Sequence, residues 1–353
     1  MKATAPTTEL RRIVGVAARA AGKGIARPVL GGAHLHLDDD GNLTATGTDI
    51  DLTMSARTTV DGGDPGAVVI PAARLAAVLG KIKADEIALA TEDDEAIITA
   101  GRTTVRLRCL PLEEWPRIAE PDGEPADLDA EVWDRIARVA IAASADVNRP
   151  TIQAVQFHDG QAAGTDSYRL HWTPIPDGLD ALVPGRAITE ARRLGDTVTM
   201  ATGTNHATFT AEGGIVTTRL VDGSFPKWGA LVPTTVASVT VDRDELLEAM
   251  GIAEVIHDDD AKAPIRLNIT PDQVEVTKTG ASVGQAATTI DATTDEVDTG
   301  GLVIGYNPTF LAQAVGVVAP DGGPVTIGFV DATKPSRLAG AGIETLVMPV
   351  RVT

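Results

Sequence analysis

With 353 residues, 43% of them hydrophobic and only 3% aromatic, the chain can fill two or three ordinary cores, built from Val, Ile, Leu and Ala. Its single cysteine, Cys109, excludes an intrachain disulfide and fits a reducing compartment. No apolar run approaches the roughly 18 residues of a membrane span and no charged-then-apolar leader opens the chain, so a soluble cytoplasmic protein is expected; the net charge of −19 argues at first sight against a nucleic-acid partner.

In chain order, the elements repeat. A first helix is predicted with Leu10, Ile13, Val14 and Ala17 on one face. The stretch Gly47-Thr48-Asp49-Ile50-Asp51-Leu52 follows, then the strand Val68-Val69-Ile70-Pro71 running into a helix through Leu75, Val78 and Leu79. The strand Val105-Arg106-Leu107-Arg108 leads to Trp115-Pro116. The same order recurs roughly 115 residues later, a domain-sized spacing. Asp129 caps a helix with Val132, Ile136, Val139 and Ala140 on one face. The stretch Gly164-Thr165-Asp166-Ser167-Tyr168-Arg169-Leu170 comes next, then Ala181-Leu182-Val183-Pro184 and a helix through Ile188, Ala191 and Leu194. The strand Val216-Thr217-Thr218-Arg219 leads to Gly223-Ser224-Phe225-Pro226. A third version has Asp242 and Glu245 at capping-box spacing before Leu246, Leu247 and Met250. It continues through Leu302-Val303-Ile304-Gly305-Tyr306-Asn307-Pro308 into a helix with Phe310, Leu311 and Val315, and ends in the strand Thr345 to Val352. The fold class is therefore α+β: three tandem modules, each with two helices against antiparallel sheets, at residues 1–121, 122–234 and 235–353.

The placement of basic residues weakens the argument from net charge. Arg11, Arg12, Arg19 and Lys23 crowd the first helix, and Arg74, Lys81 and Lys83 follow in the second. Arg135, Arg138, Arg186, Arg192 and Arg193 do the same in the second module. Such charges are usually solvated helix faces; the sharper alternative is one basic helical surface with the acid on strands and loops. The third module departs, with Asp244, Glu245 and Glu248 in its first helix.

Candidates for chemistry are weak. His34 and His36 share a strand face before the turn Asp38-Asp39-Asp40-Gly41-Asn42, but Leu43 stands where a calcium loop needs glycine. His257-Asp258-Asp259-Asp260 reads as a loop. Gly280-Ala281-Ser282-Val283-Gly284 matches the pattern of a hydrolase elbow, yet Gln285 to Ile290 reads as strand where that elbow needs a helix. No phosphate loop, dinucleotide fingerprint or zinc spacing occurs, so neither catalysis nor a cofactor is expected.

Thr165 to Leu170, Gly223-Ser224-Phe225-Pro226, Gly47-Thr48-Asp49, Arg27-Pro28-Val29-Leu30 and the tail Met348-Pro349-Val350-Arg351-Val352, in this order, resemble the bacterial sliding clamp family, the beta subunit of DNA polymerase III. The resemblance covers essentially the whole chain. It implies three clamp domains and a head-to-tail homodimer closing into a six-domain ring, with helices lining the hole. Such a ring holds duplex DNA without reading bases and slides, making the protein a non-catalytic processivity factor. It also implies a pocket for short linear peptides of the replicative polymerase, the clamp loader and repair proteins. Carried over by position, that pocket takes Ile152, Thr165, Ser167, Tyr168, Arg169 and Leu170 from the second module. Pro226 and Leu231 come from the following loop, and Asn307, Phe310, Pro335, Arg337, Leu346, Val347, Met348, Pro349, Val350 and Arg351 from the third module. DNA contact falls to Lys23, Arg149 and the helix arginines Arg11, Arg19, Arg135, Arg138 and Arg192. The dimer seam sets Arg102, Val105 and Leu107 against Val255 and Ile256 of the other copy, beside Gln285 to Thr289.

The chain departs from the family where Ser167-Tyr168 replaces Gly-His, where Ala230 replaces a basic residue, and at Pro150 and Thr151, where aromatic or basic side chains are common. These departures motivate one alternative, a specialised duplicate or phage-encoded clamp with an altered pocket. A hydrolase using Ser282 is a second, from another class.

Overall fold

The computed structural model describes residues 1–22, 27–118, 123–257, 263–297 and 301–352. The helices are α1 (Thr7–Ala20), α2 (Ala72–Lys81), α3 (Ala130–Val139), the single turn α4 (Pro150–Gln153), α5 (Gly185–Arg192), α6 (Arg243–Glu254) and α7 (Pro308–Val318). Two compact units result: Met1–Trp133 with Arg186–Leu220, and Asp134–Gly185 with Val221–Thr353.

The first unit holds a five-stranded sheet, in the order Gly63–Asp64, Lys2–Pro6, Glu86–Glu92, Glu95–Ala100, Thr103–Arg108. It also holds an eight-stranded sheet, which becomes continuous where Gly214–Arg219 pairs with Leu52–Thr59, Thr217 opposite Thr53. The second unit contains one twelve-stranded sheet. Its corresponding joint is Arg169–Pro174 against Ile343–Val347, with Leu170 opposite Leu346. All recorded pairings are antiparallel, and strands such as Lys2–Pro6 alternate exposed and buried side chains, as a half-buried sheet requires. The second module is thus shared: its first strand and its last three extend the first module's sheet, and its four middle strands extend the third's. That sharing is why compactness divides the chain inside α3 rather than at a module joint.

The sequence periodicity predicts the helical faces. Leu10, Ile13, Val14 and Ala17 of α1 are buried, each such aliphatic side chain larger than alanine contributing about 1.5–3 kcal/mol. Asp129 accepts from Val132 N–H at 2.8 Å at the start of α3. Asp242 caps α6, accepting from the N–H groups of Asp244 (2.9 Å) and Glu245 (3.1 Å). Three details differ. Trp133, not Val132, is the buried anchor of α3 in the first unit, packed on Phe209 with ring centroids 5.5 Å apart. In α6, Ala249 rather than Leu247 joins Leu246 and Met250 in the core. The final strand stops at Val347, because Val350 N–H bonds to Gly305 O instead of continuing the ladder.

The glycine that opens each repeated turn has a steric reason. A Cβ on Gly47 would lie 1.9 Å from the Ala17 carbonyl oxygen of α1, and one on Gly164 would lie 2.8 Å from that of Val139 in α3. Only glycine lets helix and strand approach this closely.

Candidate functional site

The turn Thr165 to Arg169 is built by its own side chains. Thr165 Oγ1 donates to Arg169 O at 2.6 Å and accepts from Ser167 N–H at 3.1 Å. Asp166 Oδ1 accepts from the N–H groups of Tyr168 (2.9 Å) and Arg169 (3.0 Å). Ser167 is thereby held at φ 80°, a left-handed conformation that glycine adopts freely and serine does not.

Arg169, 9% exposed, ties this turn to its surroundings. Its Nε donates to Asp166 Oδ2 at 3.0 Å, its other nitrogens donate to Gln313 Oε1 and Ile141 O, and its guanidinium lies 4.7 Å from the centroid of the Phe310 ring. Burial lowers its pKa, and the Asp166 carboxylate works the other way. Tyr168 also stacks on Phe310, with centroids 6.1 Å apart, yet stays largely exposed.

A cavity of about 220 Å³ opens against this turn. Thr165, Ser167, Tyr168, Arg169 and Leu170 form one wall. Pro226, Trp228 and Leu231 form a second, and Pro335, Leu346 and Met348 close it. Beneath it lies the apolar cluster of Ile152, Ala163, Leu170, Trp172, Phe225 and Leu346. The cavity is mostly apolar with few polar groups, a composition suited to a peptide side chain.

Ten of the pocket residues expected from the sequence line this cavity, and the others lie beside it. Ile152 and Val347 are core. Asn307 caps α7, accepting from Phe310 N–H at 3.3 Å. Arg337 turns to Glu344, donating through Nε at 2.8 Å. Pro349, Val350 and Arg351 run past, with Val350 N–H on Gly305 O. Trp228, tilted against Trp172 with ring centroids 5.2 Å apart, is the wall residue not assigned to the pocket from the sequence; its position after the Phe-Pro pair was the available signal.

The helix arginines are engaged within their own units. Arg11 donates to Leu79 O at 2.7 Å and to Ile82 O, closing the end of α2. Arg19 pairs with the buried Glu190 at 2.8 Å. Arg135 donates to Thr173 Oγ1 at 3.1 Å, Arg138 pairs with Asp134 at 2.9 Å, and Arg192 pairs with Asp196. Arg149 is exposed and donates to Ser167 Oγ at 2.7 Å. Lys23 lies outside the described residues.

Arg102 is exposed beside Val105 and Leu107 of Thr103–Arg108, an edge strand of the five-stranded sheet. Val255, 73% exposed, and Ile256 follow α6 in the other unit.

The weak chemical candidates within the described residues have structural roles, and Asp258, Asp259 and Asp260 lie outside them. Asp38 holds its own turn, accepting from Asn42 N–H at 2.8 Å and Asp40 N–H at 3.0 Å. His34 stacks between His36 (6.2 Å) and Trp115 (5.3 Å). Ser282 sits in a hairpin turn followed by the strand Gly284–Asp295, which is not the helix a hydrolase elbow needs. The Cys109 thiol is pushed up by burial and by Asp94 and Glu95. Among the described residues no helix is long and apolar enough to cross a membrane.

Comparison with known proteins matches three family models in succession. Residues 1–119 match the DNA polymerase III beta subunit N-terminal domain, 129–227 its central domain and 230–351 its C-terminal domain. A curated relative, the beta sliding clamp of Streptomyces coelicolor, is 26% identical over 92% of this chain and 93% of its own. That of Streptococcus pneumoniae is 27% identical over 74% of this chain and 73% of its own. The solved structure of the Bartonella birtlesii sliding clamp bound to griselimycin superposes over all of both chains with a TM-score of 0.89 at 22% identity. The Caulobacter crescentus beta sliding clamp does so over 100% of this chain and 99% of its own, with a TM-score of 0.88 at 24% identity. These likenesses share the three-domain clamp fold, and the chain belongs to the DNA polymerase III beta-subunit family of sliding clamps.

Proposed function

We propose that two copies of this chain close head to tail into a six-domain ring that encircles duplex DNA, slides on it and tethers the replication machinery. The three domains run at about 1–121, 122–234 and 235–353, and the protein acts in the cytoplasm without catalysing a reaction. The observation that carries this is the apolar cavity at the Thr165 to Arg169 turn, walled by the C-terminal strand, in a chain that matches beta sliding clamps along its whole length. That match does not favour a specialised duplicate. The cavity takes short linear peptides of the polymerase, the clamp loader and repair proteins.

Two free sheet edges support closure. Thr103–Arg108 has a neighbour on one side only, and Gly284 to Asp291 pairs only with Gln273–Gly280 among the described pairings. Joined between copies, these edges satisfy each other's open backbone groups, with Val105 and Leu107 beside Val255 and Ile256. In the ring, Arg149 and, from the sequence, Lys23 offer positive charge to phosphates without base readout, and Arg11, Arg19, Arg135, Arg138 and Arg192 add to it where they exchange their internal partners for phosphate, while the net charge of −19 repels DNA elsewhere.

The test is topological. Loaded by a clamp loader with ATP onto nicked circular plasmid, the protein should co-elute with the circle and be released when the circle is linearised. Equal retention on the linear form would mean that binding is by contact, not encirclement.

A further inference from the structure

The first unit holds a second copy of the cavity's framework. Thr48 Oγ1 donates to Leu52 O at 3.1 Å and accepts from Ile50 N–H at 3.0 Å, as Thr165 does with Arg169 and Ser167. Asp49 Oδ1 accepts from Leu52 N–H at 2.8 Å, as Asp166 does from Arg169 N–H. Ile50 sits at φ 87° where Ser167 sits at 80°. Arg219 N–H donates to Asp51 O at 2.9 Å, just as Met348 N–H donates to Tyr168 O at 2.8 Å. The two turns and their partner strands therefore share these hydrogen bonds, a left-handed third residue and the same strand register.

Beyond the Thr-Asp pair of the turn and the proline after the aromatic, the lining side chains do not correspond. Asp51 stands where the first cavity has Tyr168, and Arg219 where it has Met348. Thr53 and Thr217 replace the facing pair Leu170 and Leu346. After the aromatic-Pro pair, Ile118 replaces Trp228, and Arg117 precedes it. The cleft so lined measures about 510 Å³ and is also bordered by Arg27. Arg27, Arg117 and Arg219 are all exposed. The cleft's carboxylate, Asp51, approaches Arg219 only to 3.9 Å, and among the described residues Arg27 and Arg117 have no ion-pair partner.

We infer that this cleft is a second peptide-docking site, selective for an extended acidic segment with one apolar residue between carboxylates. The inference rests on the reading of the second unit's cavity as a peptide pocket. Among the described lining residues, three guanidinium forks stand against one carboxylate, a surplus of positive charge on an otherwise acidic chain. Arginine pairs with carboxylates in two-pronged fashion, which suits a peptide rich in Asp and Glu. Ile50 and Ile118 supply an apolar patch for the anchor residue. An exposed charge-based site also weakens with salt, whereas the apolar cavity of the second unit does not.

The test uses the full chain and three fluorescein-labelled probes: the acidic peptide Glu-Asp-Leu-Asp-Glu, the mostly apolar peptide Gln-Leu-Ser-Leu-Phe as the probe for the second unit's cavity, and a short oligo-dT. The acidic peptide should bind, weaken with added salt and resist displacement by unlabelled Gln-Leu-Ser-Leu-Phe. The double variant Arg117→Glu, Arg219→Glu should weaken it about tenfold or more, and the milder Arg117→Ser, Arg219→Ser by less. Both variants should bind Gln-Leu-Ser-Leu-Phe as the unaltered chain does. The inference is overturned if the acidic peptide does not bind, if neither double variant weakens it, or if the apolar peptide displaces it. It is also overturned if oligo-dT is the probe whose binding the variants abolish. Should Gln-Leu-Ser-Leu-Phe fail to bind while the acidic peptide behaves as expected, the second unit's pocket loses its assignment and this site keeps its own.

Discussion

Arg169 lays its guanidinium over the Phe310 ring at 4.7 Å while its Nε holds Asp166 at 3.0 Å, so one buried side chain links the repeated turn to α7. Replacing it with alanine removes the side-chain donor to Asp166 Oδ2 and to Gln313 Oε1, while Asp166 Oδ1 keeps its two backbone N–H donors, and it opens the cavity wall. Arg169→Ala should cost about 2–4 kcal/mol of stability and weaken binding of Gln-Leu-Ser-Leu-Phe. Arg169→Lys should recover part of the stability but less of the binding, because an ammonium lacks the fork. Urea denaturation and fluorescence anisotropy measure the two effects.

The left-handed turn residues predict a stabilising change. Ile50 is β-branched, 45% exposed and held at φ 87°. Ile50→Gly should raise stability by about 0.5–1 kcal/mol, the relief of strain exceeding the extra entropy that glycine loses on folding. Ile50→Val, which keeps the strain, should not. A lower urea midpoint for Ile50→Gly would show that the turn is not strained.

His171 gives a pH dependence. Burial, then the nearby Arg169 charge, lowers its pKa to about 3. Unfolding restores an ordinary value near 6.5, so below that pH the unfolded chain binds a proton that the folded chain refuses. Stability from this group is complete above about pH 6.5 and is lost as pH falls toward 3, by up to about 1.4 kcal/mol per unit. His171→Gln should flatten the stability profile between pH 6.5 and 5, where most carboxylates have yet to titrate. An unchanged slope would mean that His171 is protonated in the fold.

At the edge strand Thr103–Arg108, Val105→Asp together with Leu107→Asp should give monomers, since closure would bury two unpaired carboxylates. Light scattering reads the mass directly. An unchanged dimer would move the seam elsewhere.

Met348 lines the cavity and its N–H holds Tyr168 O at 2.8 Å. Removing 348–353 should abolish peptide binding while leaving the dimer intact. Retained affinity would place the peptide elsewhere.

Much of this was legible because it is local. Helix faces follow from period, and the caps at Asp129 and Asp242 follow from residue type and spacing. The repeated turn could be recognised because Thr and Asp build it at fixed offsets. What local pattern could not supply was long-range pairing. Nothing around Thr53 or Leu170 names Thr217 or Leu346 as partners, so the sharing of the second module between two sheets was invisible. The arginines show the same limit: a basic stripe looks solvated until Glu190 is found beneath Arg19 and the carbonyls of Leu79 and Ile82 beside Arg11. Trp133 was missed because its neighbour Val132 also fits the helical period.

The most direct measurement of the central claim is solution mass by light scattering, taken on the sample that is titrated with fluorescent Gln-Leu-Ser-Leu-Phe. A mass of twice 36.6 kDa with saturable peptide binding is the predicted result. A monomer that does not bind the peptide would contradict it, leaving the clamp fold without the ring or its tether.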